Sequence, residues 1–121
     1  MIYIGNDIVR VARIENAIIK YGNRFLNRIF TDNEIMYCNS KYNASIHFSG
    51  RFAAKESIKK VIMSVYPNIS LAFKNINIKR NENGHPFVNI INFNSKNIEY
   101  IQISISHTND YATAIALLNT I

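Results

Sequence analysis

The sequence predicts a single α+β domain, residues 1–121, in which one long helix packs across an antiparallel sheet. Three observations carry this. From about Ser45 to Tyr66 no proline intervenes and no glycine follows Gly50, while Ala54, Ile58, Val61, Ile62 and Val65 recur at the three- and four-residue steps of an apolar helical face. Near the C-terminus, Ile101, Ile103 and Ile105 alternate strictly with Gln102, Ser104 and Ser106, the period of a half-buried strand. The last strand, Tyr111 to Leu118, places Ala112, Ala114 and Ala116 on one nearly bare face, so something large must cover it, and the long helix is the obvious candidate. With 48% hydrophobic and 18% charged residues, the chain is too apolar to be disordered and long enough to bury a modest core.

Taken in order, Ile2, Ile4 and Ile8 mark a first strand. Asp7 read alone is a cap for the helix that follows; if the chain stays extended there, it lies on the face opposite Ile2 and Ile4 and is displayed near the strand's end. A first helix carries Val11, Ile14, Ile18 and Tyr21 and closes at Gly22; a short second one carries Phe25, Leu26 and Ile29. Thr31 to Glu34 reads as a capping box opening a helix through about Asn39. Lys41 to Ala44 is then a loop before the long helix, which ends at Tyr66-Pro67-Asn68. Ile76 and Ile78 start a hairpin, with a turn at Asn83-Gly84 leading into Phe87–Ile91.

A net charge of +6 and a pI near 9.6 call for an acidic partner: nucleic acid, an acidic protein or a phosphorylated ligand. The basic residues are densest on the first two helices, where Arg10 and Arg13 share one face and Arg24 and Arg28 another, with only Glu15 among them. That suits docking of something negative better than an ordinary solvated face. Cys38 is the only cysteine, which excludes an internal disulfide and a cysteine zinc site and fits a buried thiol in a reducing compartment. With no signal-like segment and no run of membrane-spanning length, the expected location is the cytoplasm.

Within the long helix, Glu56 and Lys60 are one turn apart, beside small residues, where they could face a phosphorylated ligand and its metal. The ordinary alternative is an exposed Glu–Lys ion pair. Ser106-His107-Thr108 lies where a strand enters a turn; hydroxyls, imidazole and turn amides make a reasonable phosphate site, or simply a hydrogen-bonded turn. His47 has no neighbour at metal-ligand spacing, and His85 precedes Pro86 in a turn.

Four segments in this order, Ile4-Gly5-Asn6-Asp7-Ile8, Arg24 to Thr31, Gly50 to Lys60, and Ile103 to Thr108, resemble holo-acyl-carrier-protein synthase, the small trimeric class of 4′-phosphopantetheinyl transferases. The resemblance covers nearly the whole chain. It implies transfer of the phosphopantetheine arm of coenzyme A to a serine of apo acyl carrier protein, releasing adenosine 3′,5′-bisphosphate, in support of fatty acid biosynthesis. It implies Asp7 and Glu56 as magnesium ligands, and Lys60 as a contact to the coenzyme A phosphates. Arg51, Ser106, His107 and Thr108 complete that binding set, with His107 reaching in from a neighbouring subunit of a homotrimer. Arg10, Arg13, Arg24 and Arg28 become the dock for the acidic carrier protein. Neither nucleic acid nor membrane is called for.

One departure stands out. Val61 to Tyr66 occupies the place of the family's glycine-rich loop, so the helix should run longer. A milder one is Asn6, where threonine is common. Two other readings remain: a coenzyme A-binding scaffold that has lost catalysis, and a basic nucleic-acid-binding domain that leaves Asp7 and Glu56 unused.

Overall fold

A computed structural model describes residues 1–121. Strand β1 (Ile2–Arg10) is followed by helices α1 (Val11–Tyr21), α2 (Asn23–Ile29), α3 (Asp32–Asn39) and the long α4 (Ala44–Val65). After a 3-10 turn at Phe73–Asn75 come β2 (Ile76–Arg80), β3 (Pro86–Ile90), β4 (Ile98–His107) and β5 (Tyr111–Thr120). The expected elements are all present. The strands divide into two sheets, an antiparallel one of order β1-β5-β4 and the separate hairpin β2-β3. The last strand to be made therefore sits in the middle, and β1 and β4 are the edges.

Helix α4 lies across the large sheet. Ala112, Ala114, Ala116 and Leu118 of β5 are buried beneath it with Ala54, Ile58, Val61 and Ile62. The bare alanine face thus meets the helix, as expected. Contact is closest at two glycines: a Cβ on Gly5 would stand 2.4 Å from the Ser57 carbonyl oxygen, and one on Gly50 2.9 Å from the Ile105 side chain. The Ser57 hydroxyl donates to the Ala114 carbonyl at 2.9 Å, pinning helix to sheet. Helix α4 runs unbroken through Val65, as the absence of glycine after Lys60 leads one to expect.

The start of the chain departs from expectation. β1 pairs with β5 all the way to Arg10 opposite Tyr111, so Asp7 lies within the strand and caps nothing. The residue before α1 is Arg10, without a side-chain cap; the Val11 N–H donates instead to the Asp110 carbonyl at 2.8 Å. Asp7 lies on the face opposite Ile2 and Ile4, as an extended chain requires. Ile2, Ile4 and Ile8 are 58%, 67% and 66% exposed, while the face with Gly5, Asp7 and Val9 turns to α4. Only a residue without a side chain fits beneath Ser57, which fixes this orientation.

The capping box at Thr31 forms, with Glu34 Oε1 accepting from the Thr31 N–H at 2.7 Å. The same carboxylate also reaches into the core. It pairs with Lys55 at 2.7 Å, both side chains fully buried, and accepts the Ile78 N–H at 2.7 Å. Lys55 Nζ donates further to the carbonyls of Ile29, Phe73 and Ile76 at 3.0, 3.0 and 2.6 Å. One ammonium thus ties α2, α3, α4 and β2 together. Burial pulls the Lys55 pKa below the ordinary lysine value, with the Glu34 carboxylate opposing that shift.

Candidate active site

The site residues fall into two groups on opposite edges of the large sheet. The first lies between β1 and α4. Close packing at Gly5 brings the two backbones together, and two residues along the same face Asp7 meets Lys60 of α4. Lys60 Nζ donates to Asp7 Oδ1 and to the Asn6 carbonyl, both at 3.0 Å. The Glu56–Lys60 ion pair considered from the sequence does not form: Asp7 is the only acid paired with Lys60. Glu56 sits one turn before Lys60 on the same helical face, half-buried, and neither carboxylate oxygen has a hydrogen-bond partner.

These donors suit magnesium. It takes one or two carboxylates and completes its shell with water and phosphate oxygens. No cluster of three or more His, Cys, Asp or Glu side chains exists that would favour a fully protein-ligated metal.

The second group lies at the β4 edge, in a cleft of about 430 Å³. Arg51 of α4, His107 of β4, His47 of α4, Arg80 of β2 and His85 of the hairpin turn all line it. Arg51 is only 3% exposed, and its Nε has no hydrogen-bond partner. The rings of His47 and His107 are 5.8 Å apart. Burial, then the charges of Arg51, His107, Lys41 and Arg80, push the His47 pKa down from its ordinary value. Arg51 and Arg80 line the cleft and no acid does, so its potential is positive.

Of the other expected phosphate-binding residues, Ser106 is on the exposed outer face of β4 opposite Thr113. Thr108 holds the turn, its Oγ1 accepting the N–H groups of Asp110 and Tyr111 at 3.2 and 3.1 Å. Neither lines the cleft, whereas His47, Arg80 and His85, passed over as ligands in the sequence, do. The one signal for His85 was its place in the Asn83-Gly84-His85-Pro86 turn, where Gly84 adopts φ +81°.

Helix α4 links the two groups. Arg51 and Lys60 are nine residues apart, so they lie about 13 Å apart along the axis and on opposite sides of it. Within one chain the two groups do not meet in a single pocket.

Arg24 and Arg28 line a shared cleft with Tyr21, Phe25 and Asn27, as their spacing anticipates. Arg13 is exposed, and Arg10 lines a different cleft that includes Glu15 and Asp110. Cys38 is fully buried, and burial pushes its pKa up to about 12, so its thiol stays protonated.

The sequence model of the 4′-phosphopantetheinyl transferase superfamily matches residues 3–116. The chain belongs to this superfamily. A holo-[acyl-carrier-protein] synthase of Protochlamydia amoebophila is 40% identical over 116 residues, covering 94% of each chain. One from Thermodesulfovibrio yellowstonii is 41% identical over 115 residues, covering 95% of this chain and 96% of that relative. Among solved transferase structures, that of Helicobacter pylori holo-[acyl-carrier-protein] synthase in complex with coenzyme A superposes with a TM-score of 0.83 at 31% identity, covering 96% of this chain and 99% of that one.

Proposed function

We propose that this transferase moves the 4′-phosphopantetheine group of coenzyme A to a serine of an apo acyl carrier protein, with magnesium, releasing adenosine 3′,5′-bisphosphate and supporting fatty acid biosynthesis. The observation that carries the reading is the division of labour along α4. The helix holds Lys60 against Asp7 at one edge of the sheet, with Glu56 one turn before it, and at the other buries Arg51 in the cleft that His107 also lines. A ligand with two separated phosphate groups calls for that arrangement.

Asp7 and Glu56 would hold the magnesium ion, which when bound supplies charge neutralisation at the pyrophosphate and eases departure of the bridging oxygen. Lys60 uses two of its three N–H groups on Asp7 and Asn6, leaving one for a phosphate oxygen. It also keeps the Asp7 carboxylate oriented. With one Glu56 oxygen on the ion, the other can accept the proton of the attacking serine. Arg51 and His107 bind the nucleotide end, and the site accelerates transfer by positioning and by charge already in place.

The active assembly in this proposal is a homotrimer. The outer face of the large sheet carries Ile2, Ile4, Ile8, Tyr111 and Ile115, all substantially exposed, an apolar surface that a second copy would cover. Packing sheet edges around an axis would also set the carboxylate edge of one protomer beside the basic edge of the next, with His107 serving its neighbour. The acidic carrier protein docks on Arg24 and Arg28, with Arg10 and Arg13 flanking. A cytoplasmic setting belongs to the same proposal, in keeping with a single cysteine that is buried and unpaired; no helix is long and apolar enough to cross a membrane.

The deciding experiment is an intact-mass spectrum of apo acyl carrier protein incubated with the transferase, coenzyme A and magnesium, with and without chelator. A magnesium-dependent gain of one phosphopantetheine is expected. Coenzyme A binding without transfer would favour the scaffold reading, with the unbroken helix through Val65 as its physical cause. Absence of both would overturn the proposal.

A further inference from the structure

We propose that Tyr37 is a positioning residue for a phosphomonoester, its ring gathering the guanidinium groups of Arg51 and Arg80 into one anion seat in the β4-edge cleft. The inference rests on the coenzyme A reading, because coenzyme A carries one phosphomonoester besides its pyrophosphate.

Three cations converge on this ring. The Arg51 guanidinium carbon is 4.1 Å from the ring centroid, Lys41 Nζ 4.9 Å and the Arg80 guanidinium carbon 5.3 Å. The His47 ring meets it edge-on at 5.9 Å between centroids. Three cations held around one neutral ring repel each other, and the ring's negative face offsets only part of that. No carboxylate supplies the rest. The two salt bridges of the molecule are Glu34–Lys55 and Asp7–Lys60, so Arg51 and Arg80 have no acidic partner. For Arg51 the deficit is acute, since its side chain is buried and its Nε is unsatisfied. A doubly charged phosphate, with several acceptor oxygens, satisfies both guanidiniums at once, where a neutral group or a single carboxylate oxygen does not. The downward shift of His47, caused in part by these same cations, reports the same positive field.

Tyr37 reaches this seat from α3, one turn below the capping box and beside buried Cys38, so α3 carries the ring on a fixed support. Its role is to hold the guanidiniums, not to touch the ligand. Arg80 projects from the end of β2, exposed, and without the ring nothing in the structure fixes its direction.

The test compares coenzyme A with 3′-dephospho-coenzyme A as substrates of the intact transferase, using apo acyl carrier protein and mass detection to obtain kcat and KM for each. The wild type should prefer coenzyme A. Tyr37→Leu should raise KM for coenzyme A by roughly tenfold, leave KM for the dephospho substrate within about twofold, and leave kcat nearly unchanged. Tyr37→Phe, which keeps the ring, should retain the wild-type selectivity. Arg80→Met should lose the same selectivity, and the double variant Tyr37→Leu/Arg80→Met should lose less than the product of the two, because the ring acts through that arginine. Equal rises in KM for both substrates would reduce Tyr37 to a structural residue and overturn the proposal. Should Tyr37→Leu fail to fold, Arg80→Met decides, and unchanged selectivity there overturns the shared seat. A wild type that transfers from both substrates equally well refutes this inference alone; a wild type that uses neither refutes the function on which it rests.

Discussion

Replacing Lys55 with methionine removes one of the two charges from the buried pair with Glu34 and leaves the methylene stem. The ammonium contacts four oxygens: Glu34 Oε1 at 2.7 Å and the carbonyls of Ile29, Phe73 and Ile76 between 2.6 and 3.0 Å. Glu34 would keep its two backbone donors, Thr31 and Ile78, yet lose its only counter-charge in a fully buried place. Removing one partner of such a pair costs about 3–5 kcal/mol, and a typical domain has only about 5–15 kcal/mol to lose. Urea unfolding of the Lys55→Met variant should therefore show a midpoint shifted far down with an unchanged slope. In Lys55→Met/Glu34→Gln the stranded charge is gone and the amide oxygen keeps one of the two backbone donors, Thr31 or Ile78, while its NH2 faces the other, so part of the loss should return. A loss below about 1 kcal/mol, or a double variant no more stable than the single one, would refute this account of the pair.

Three further outcomes follow from the geometry. Asp7→Ala and Glu56→Ala should each abolish magnesium-dependent transfer, read by intact mass, while circular dichroism shows a retained fold; normal turnover in either would remove it from the metal-binding pair. Arg24→Glu should raise KM for the carrier protein by about tenfold with KM for coenzyme A nearly unchanged, since it lines a cleft that shares no residue with either group of site residues. His47 has a folded pKa below its unfolded value, so the unfolded chain takes up this proton first as pH falls. Stability present above about pH 6.5 should decline as pH drops through the window down to the folded value, and His47→Gln should flatten that decline in urea midpoints.

Much of the architecture could be read in one dimension because it is written in local periods. The alanines of β5 alternate, the α4 face repeats at three and four, and the Thr31 box spans four residues; each is visible within a short window. What the sequence concealed depends on contacts between distant segments. Ile2, Ile4 and Ile8 look like core residues until one knows that Gly5 must press on Ser57. Lys55 looks like one more charge in a helix that also carries Lys59 and Lys60, and only the third dimension supplies its four acceptors. Glu34 is recognisable as a cap because its partner is three residues away, and unrecognisable as an ion-pair member because Lys55 is on another helix. The candidate set was nameable from the sequence through family resemblance. Its division between two edges was not, because that follows from β5 inserting between β1 and β4. His47 was set aside for want of a neighbour at metal-ligand spacing and His85 as a turn residue, whereas their cleft collects side chains from α3, α4, β2, β4 and the hairpin turn.

The separation of Asp7 from Arg51 across the sheet has a genetic consequence. In the proposed trimer each catalytic unit draws its carboxylates from one polypeptide and its nucleotide seat from the adjacent one. A variant lacking Asp7 and a variant lacking Arg51 would each be dead alone, yet mixed assemblies of the two would contain some junctions built from both intact halves. Random mixing in equal amounts around a head-to-tail ring makes about one junction in four whole again. Two inactive alleles expressed together would then rescue one another, a behaviour that a protein with its whole active centre inside one chain does not display.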